Sequence, residues 1–167
     1  YYPVEDTPGT IYAIGQDKEQ SSTQVQLMFK RDAMPKEMKG DVSYMLMDYV
    51  SHMITSMLNT RLEDMSSKPD APFAAAGVSD GEFFIASTKD AFSVSAVAKD
   101  TDIKPVVEAL YREVLRAQRG GFTATEYARA RAEYISRLEK AYKNRASRES
   151  GAYAREYAAH FTENEPI

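Results

Sequence analysis

The spacing of apolar positions changes character several times along the chain. Thr10–Gly15 predicts a short strand and Ser22–Lys30 a clearer one, in which Thr23, Val25, Leu27 and Phe29 alternate with Gln24, Gln26, Met28 and Lys30. That is the period of a strand with one wet face. The polar segment Asp17–Ser21 between them suits a hairpin connection. From residue 36 to 65 the spacing becomes helical. Val42, Leu46, Tyr49, Met53, Met57 and Leu62 recur three to five apart, and Met45, Val50, Ile54 and Leu58 widen the stripe. A helix of that extent is roughly 40 Å long at 1.5 Å per residue.

Pro69 and Pro72 interrupt the chain, and three further strands are predicted at Phe73–Ser79, Glu82–Thr88 and Ala91–Lys99. Asp80-Gly81 and Lys89-Asp90 separate them, the first being a turn pair because Gly accepts positive φ. Helical spacing returns at Asp102, with Val106, Val107, Leu110, Val114 and Leu115 on one face and Gly120-Gly121 as the stop. Thr123-Ala-Thr-Glu126 then forms a capping box flanked by Phe122 and Tyr127, and fixes the start of the next helix. This helix runs through Tyr134, Leu138 and Ala141 and bends near Ser147–Gly151, after which Tyr153, Tyr157 and Phe161 give a last helical face.

The order β-β-α-β-β-β-α-α-α predicts an α+β fold, a two-layer sandwich in which an antiparallel sheet is covered on one face by helices. Residues 1–9, with Pro3, Pro8 and Gly9, read as a linker. Residues 10–164 read as a single α+β domain and residues 165–167 as the start of a further linker. Because the chain opens at Tyr1-Tyr2-Pro3 and stops at Glu165-Pro166-Ile167, it reads as a fragment of a longer polypeptide.

Composition narrows the functions. With 167 residues, 43% hydrophobic and 28% charged, the chain is globular and can bury a real core. A net charge of −4 argues against a phosphate-coating surface, and no apolar run reaches the ~18 residues that spanning a bilayer takes, so no nucleic-acid partner and no membrane span is expected. Between Ala124 and Glu149 the cations Arg129, Arg131, Arg137, Lys140, Lys143, Arg145 and Arg148 are interspersed with Glu126, Glu133, Glu139 and Glu149, a solvated helix surface with i,i+4 pairs. All eight methionines fall between Met28 and Met65. Thioethers fill irregular core gaps, so most of Met45, Met53 and Met57 are expected to be buried.

Catalytic chemistry is thin. There is no cysteine, no G-x-S-x-G elbow and no phosphate-cradling loop. The two histidines are His52 and His160. His160-Phe-Thr-Glu163-Asn164 stops one residue short of H-x-x-E-H, with Asn where the second imidazole belongs, and His52 has no partner at i+4. No catalytic residue and no metal ligand is expected.

Three blocks carry a resemblance. They are the strand Thr23-Gln-Val-Gln-Leu-Met-Phe29; the helix end Met57-Leu58-Asn59-Thr60-Arg61-Leu62-Glu63 followed by Pro69-Asp-Ala-Pro72-Phe73; and Gly121-Phe-Thr-Ala-Thr-Glu126 leading to Arg131-Ala-Glu-Tyr134 and closing with His160-Phe161 and Glu165-Pro166-Ile167. In their order and spacing they resemble the pitrilysin/insulinase family of zinc metallopeptidases, in particular its large bacterial members.

The resemblance implies a metallopeptidase-like half-domain. In that family each catalytic half pairs a zinc domain bearing H-x-x-E-H with a second domain of like fold that lacks the motif and encloses the peptide cleft. This chain matches the second kind. It would be a non-catalytic, cleft-forming domain of a zinc-dependent endopeptidase, inactive alone, with no cofactor of its own. Zinc would sit in the parent's neighbouring domain. That domain and the peptide substrate would be its partners, and the periplasm or cell envelope its compartment. Family domains of this kind can touch the substrate backbone through an Arg and a Tyr. Arg61 falls at the Arg position and Phe73 near the Tyr position, without the hydroxyl and after a longer loop. Arg61 also reads as a helix C-terminal cation favoured by the macrodipole. The alternatives are a metal-free core or assembly subunit of the same fold, and an unrelated α+β binding module.

Overall fold

The computed structural model describes residues 4–167, apart from the side chain of Ser87. The elements are β1 (Gln24–Asp32), α1 (Val42–Ser66), β2 (Phe73–Phe83), β3 (Ala86–Ala98), α2 (Lys104–Gly120), α3 (Ala124–Lys143) and α4 (Ser150–Glu163), with single 3-10 turns at Lys36–Met38 and Arg145–Ser147. The protein is α+β, as its periodicities predict. No helix among the described residues is long and apolar enough to cross a membrane. The chain divides into two compact units, one from the chain up to Ala33 together with Leu58–Gly121, the other from Met34–Met57 and Phe122–Ile167.

The first unit is a sheet with helices on one face. Its strands are antiparallel in the order β1-β3-β2. Leu27 stands opposite Val94, and Val94 opposite Val78, so one face is apolar across all three strands. Val25, Val78, Val94 and Ala96 on that face are buried, as are Val106 and Leu110 of α2 and Leu58 and Leu62 of α1. Five fully enclosed side chains (Phe73, Leu62, Leu110, Val94 and Val106) form its centre. α2 ends at Gly121, whose φ of 64° is open to glycine without steric cost and whose N–H caps the Ala117 carbonyl.

The second unit is helical, with a small core of Met53, Met57 and Ala130 against which Tyr49, Phe122 and Tyr134 pack. The capping box at the start of α3 forms as expected. Glu126 N–H donates to Thr123 Oγ1, and Thr123 N–H donates to the Glu126 carboxylate at 2.7 Å.

Two expectations are corrected. Thr10–Gly15 forms no strand; it has no paired neighbour, and Ile11, Tyr12 and Ile14 lie exposed. The three strands expected between Phe73 and Lys99 are two, because the chain reverses at Phe84-Ile85 rather than at Asp80-Gly81. Pairing overrides turn chemistry here. Gly81 stays in register with Ala91, and the Asp80 carboxylate accepts a hydrogen bond from Arg31 across the sheet at 2.5 Å. Lys89-Asp90, the second expected turn, lies inside β3 for the same reason. Of the three methionines expected to be mostly buried, Met53 and Met57 are buried and Met45 is 61% exposed.

Candidate functional site

Arg61 lies on the last third of α1, short of its end at Ser66. Its Nη1 donates to Glu113 Oε1 of α2 at 3.1 Å and its Nη2 to the Gly121 carbonyl at 3.0 Å. Arg116 approaches the other Glu113 oxygen at 3.4 Å. The guanidinium therefore holds the end of α1 to both the middle and the C-cap of α2. This arrangement differs from a free helix-terminal cation, and its planar fork suits two acceptors at once.

Phe73 opens β2 opposite Ala98 and has no exposed surface. Its ring belongs to the core of the first unit. Arg61 and Phe73 belong to the same unit, the first committed to an ion pair and the second to packing.

The histidines are also committed. His52 on α1 accepts a hydrogen bond at Nε2 from Arg137 of α3, and its ring lies 5.1 Å from that of Tyr134. Arg137 stacks over Tyr134 at 5.4 Å. An acceptor Nε2 requires the neutral ring, and burial, followed by the charge of Arg137, pushes the His52 pKa below its ordinary value against a smaller upward pull from Asp48. Beside it, Tyr49 shares a hydrogen bond of 3.0 Å with the Tyr127 hydroxyl, which raises the Tyr49 pKa, and meets Tyr134 edge-on at 5.2 Å. His160 holds the Glu165 carbonyl through Nδ1 at 2.7 Å.

The segment His160–Asn164, one residue short of H-x-x-E-H, makes structural contacts. Glu163 pairs with Lys36 at 3.1 Å, and the Asn164 amide donates to the Lys36 carbonyl at 2.6 Å, with Asn164 in the left-handed region at φ 58°. Lys39 and Tyr44 add bonds of 2.6 and 2.9 Å to the Glu165 carboxylate. These contacts fasten the end of the chain to the entry of α1. No group of three or more His, Cys, Asp or Glu able to hold a metal occurs among the described residues, so the donor set does not fit zinc.

Three polar features escape sequence reasoning because their partners are remote. Lys89 is buried in β3 between Asp32 at 2.5 Å and Asp6 at 2.9 Å. Its hydrogen bonds, that to Asp32 foremost, raise its pKa, and its bond to Asp6 holds that carboxyl below the usual carboxylate range. Lys30 donates to the Glu5 carbonyl at 2.6 Å, so two lysines tie the leading segment to the sheet. Glu113 is the second feature. Asn59 is the third: its carboxamide accepts from Val78 N–H at 2.7 Å and donates to the Val78 carbonyl at 3.0 Å. No local spacing announces any of them.

The second unit has many exposed large apolar side chains beside its small core. Val42, Leu46, Val50 and Ile54 form an exposed i,i+4 ridge on α1, with Met45 and Met47 beside it. Leu138 and Tyr142 of α3 and Tyr157 and Phe161 of α4 are exposed as well. Apart from Asp48 and His52, no Asp, Glu, His, Lys or Arg lies between Val42 and Thr60. A helix apolar on several sides is built for enclosure rather than for a solvated surface.

Two solved structures share this architecture. The periplasmic protease PqqL from Escherichia coli matches 90% of this chain with a TM-score of 0.76 at 17% identity. The first half of that protease matches 90% of the chain at 0.73 and 19% identity. The chain spans 16% of the length of the former and 31% of the latter. At such identity the likeness is one of fold. No family model and no curated protein matches the sequence.

Proposed function

We propose that this chain is a non-catalytic, cleft-forming domain of a zinc-dependent endopeptidase of the pitrilysin/insulinase type, acting in the periplasm or cell envelope. The observation that carries this reading is the match of nine-tenths of the chain to a fraction of a much longer periplasmic protease. That the described residues offer no metal-holding cluster is consistent with a partner role beside a zinc-bearing domain. The exposed apolar ridge on α1 is the surface it offers to the neighbouring, zinc-bearing domain. There zinc would activate water for peptide hydrolysis. In this reading Arg61 and Phe73 serve the peptide indirectly, by fixing the helices and strand that form the cleft wall. Positioning of that kind is worth as much to turnover as a reacting group.

The test compares peptide cleavage and bound zinc in the parent polypeptide, in the parent lacking residues 10–164, and in this chain alone. The deletion should abolish turnover while the zinc domain keeps its metal, and the isolated chain should cleave nothing. Zinc-dependent cleavage by the isolated chain, or an unimpaired deletion, overturns the proposal.

A further inference from the structure

The two faces of the sheet in the first unit carry different charges. Strand alternation puts Arg31, Asp80 and Asp90 on the apolar face, where Arg31 pairs with Asp80 at 2.5 Å and with Asp90 at 3.7 Å. Lys30, Asp32 and Lys89 project from the other face. Only 7% of the Lys89 side chain is exposed and 20% of that of Lys30. Lys89 pairs with Asp32 at 2.5 Å, and Lys30 Nζ is steadied 5.8 Å from the centroid of the Phe83 ring. In this group two cations face one carboxylate, so one positive charge is left for a further anion. A desolvated cation needs that partner more than a hydrated one does.

The leading segment supplies it. Asp6 Oδ2 accepts from Lys89 at 2.9 Å, Asp6 Oδ1 lies 3.6 Å from Lys30 Nζ, and the Glu5 carbonyl accepts from Lys30 at 2.6 Å. Two lysines thus hold a carboxylate together with the backbone carbonyl before it, a pair of acceptors that a peptide carries and a simple anion does not. The hold on this occupant is loose. No residue from 4 to 23 belongs to a helix or strand, and the Asp6 side chain is 70% exposed. Ion pairs to so exposed a group contribute little and are screened by salt, whereas the lysines are fixed by the sheet. We infer that Lys30 and Lys89 form a binding site for an acidic peptide, which Glu5-Asp6 fills in cis as a built-in competitor. An acidic segment of another chain takes the site when the leading segment lifts away. The site does not rest on the peptidase reading.

The probe is a synthetic peptide of residues 4–9, Val-Glu-Asp-Thr-Pro-Gly, with both ends blocked, titrated into the full chain and followed by NMR. Asp6→Ala lies outside the sheet at an exposed position, so it empties the carboxylate half of the site and leaves the fold in place. This variant should bind the peptide with a Kd of roughly 1 mM. The wild type should bind it about tenfold more weakly, because Asp6 in cis competes at an effective concentration in the millimolar range. A peptide with Asn in place of its Asp, or Lys30→Met added to Asp6→Ala, should each weaken binding by about tenfold or more. Absence of binding to Asp6→Ala up to roughly 10 mM, equal binding by wild type and Asp6→Ala, or indifference to either change overturns the proposal. So does displacement of the peptide by an equal concentration of acetate, which would leave an anion site with no preference for a peptide.

Discussion

Arg61 and Glu113, 52 residues apart in sequence, form an ion pair whose side chains are only 10% and 5% exposed. Such a pair is asymmetric in its consequences. Removing one partner strands a desolvated charge, while replacing both by apolar groups of similar volume costs far less. Arg61→Met should therefore destabilise the protein by about 3 kcal/mol in urea denaturation, and Arg61→Met with Glu113→Leu should recover most of it. Equal stability of the wild type and Arg61→Met would show that the pair contributes nothing. Under the proposed function, any loss of peptide cleavage that Arg61→Met causes in the longer polypeptide should be restored by the Glu113→Leu partner change.

Phe73 gives a sharper separation of packing from substrate contact. Its ring is fully enclosed, so Phe73→Tyr forces a hydroxyl into the core and should cost about 1–3 kcal/mol through an unsatisfied polar group. Phe73→Leu, which adds no polar atom, should be milder. A tyrosine variant as stable as the wild type and with improved peptide binding would return the position to the cleft.

Much of this organisation is legible in the sequence because it is local. Alternation locates β1 within two residues of each end, the apolar stripe locates α1, and Thr123 with Glu126 marks the start of α3. What is illegible depends on partners far along the chain. Asp80-Gly81 is a strong turn pair in isolation, yet strand register and the bond to Arg31 carry β2 through it. The reversal falls at Phe84-Ile85, where Phe84 adopts φ 55°, a conformation no propensity assigns to phenylalanine. Thr10–Gly15 has strand composition and no neighbour to pair with. The role of Arg61 follows the same rule, since helix position predicts a cation near a C-terminus and only the fold supplies Glu113.

Acid should weaken the second unit through His52. Its folded pKa lies below the ordinary imidazole value, so the folded state favours the neutral ring. The stabilisation is fully present above the unfolded pKa of about 6.5 and is lost as pH falls through the lower folded value. Protonation also turns the Nε2 acceptor into a donor facing the Arg137 guanidinium. Urea midpoints for the wild type should therefore fall more steeply below pH ~6.5 than those of His52→Gln. Parallel pH profiles would sink this assignment.

The methionines test where the apolar surface is truly covered. Met53 and Met57 sit in the core of the second unit at 3% and 6% exposure, whereas Met45 and Met47 on the same helix are 61% and 58% exposed. Peroxide reaches thioethers in proportion to access, and the sulfoxide it forms is polar. In the isolated chain Met45 and Met47 should convert first and leave the fold intact. Met53 and Met57 should convert only on unfolding, each with loss of helical signal. Mass spectrometry of timed digests distinguishes these classes. In the parent polypeptide Met45 and Met47 should become protected as well, because the ridge of Val42, Leu46, Val50 and Ile54 beside them would lie against the neighbouring domain. Rapid oxidation of Met45 in the intact parent would mean that the ridge faces solvent there, and the packing role assigned to it would fall.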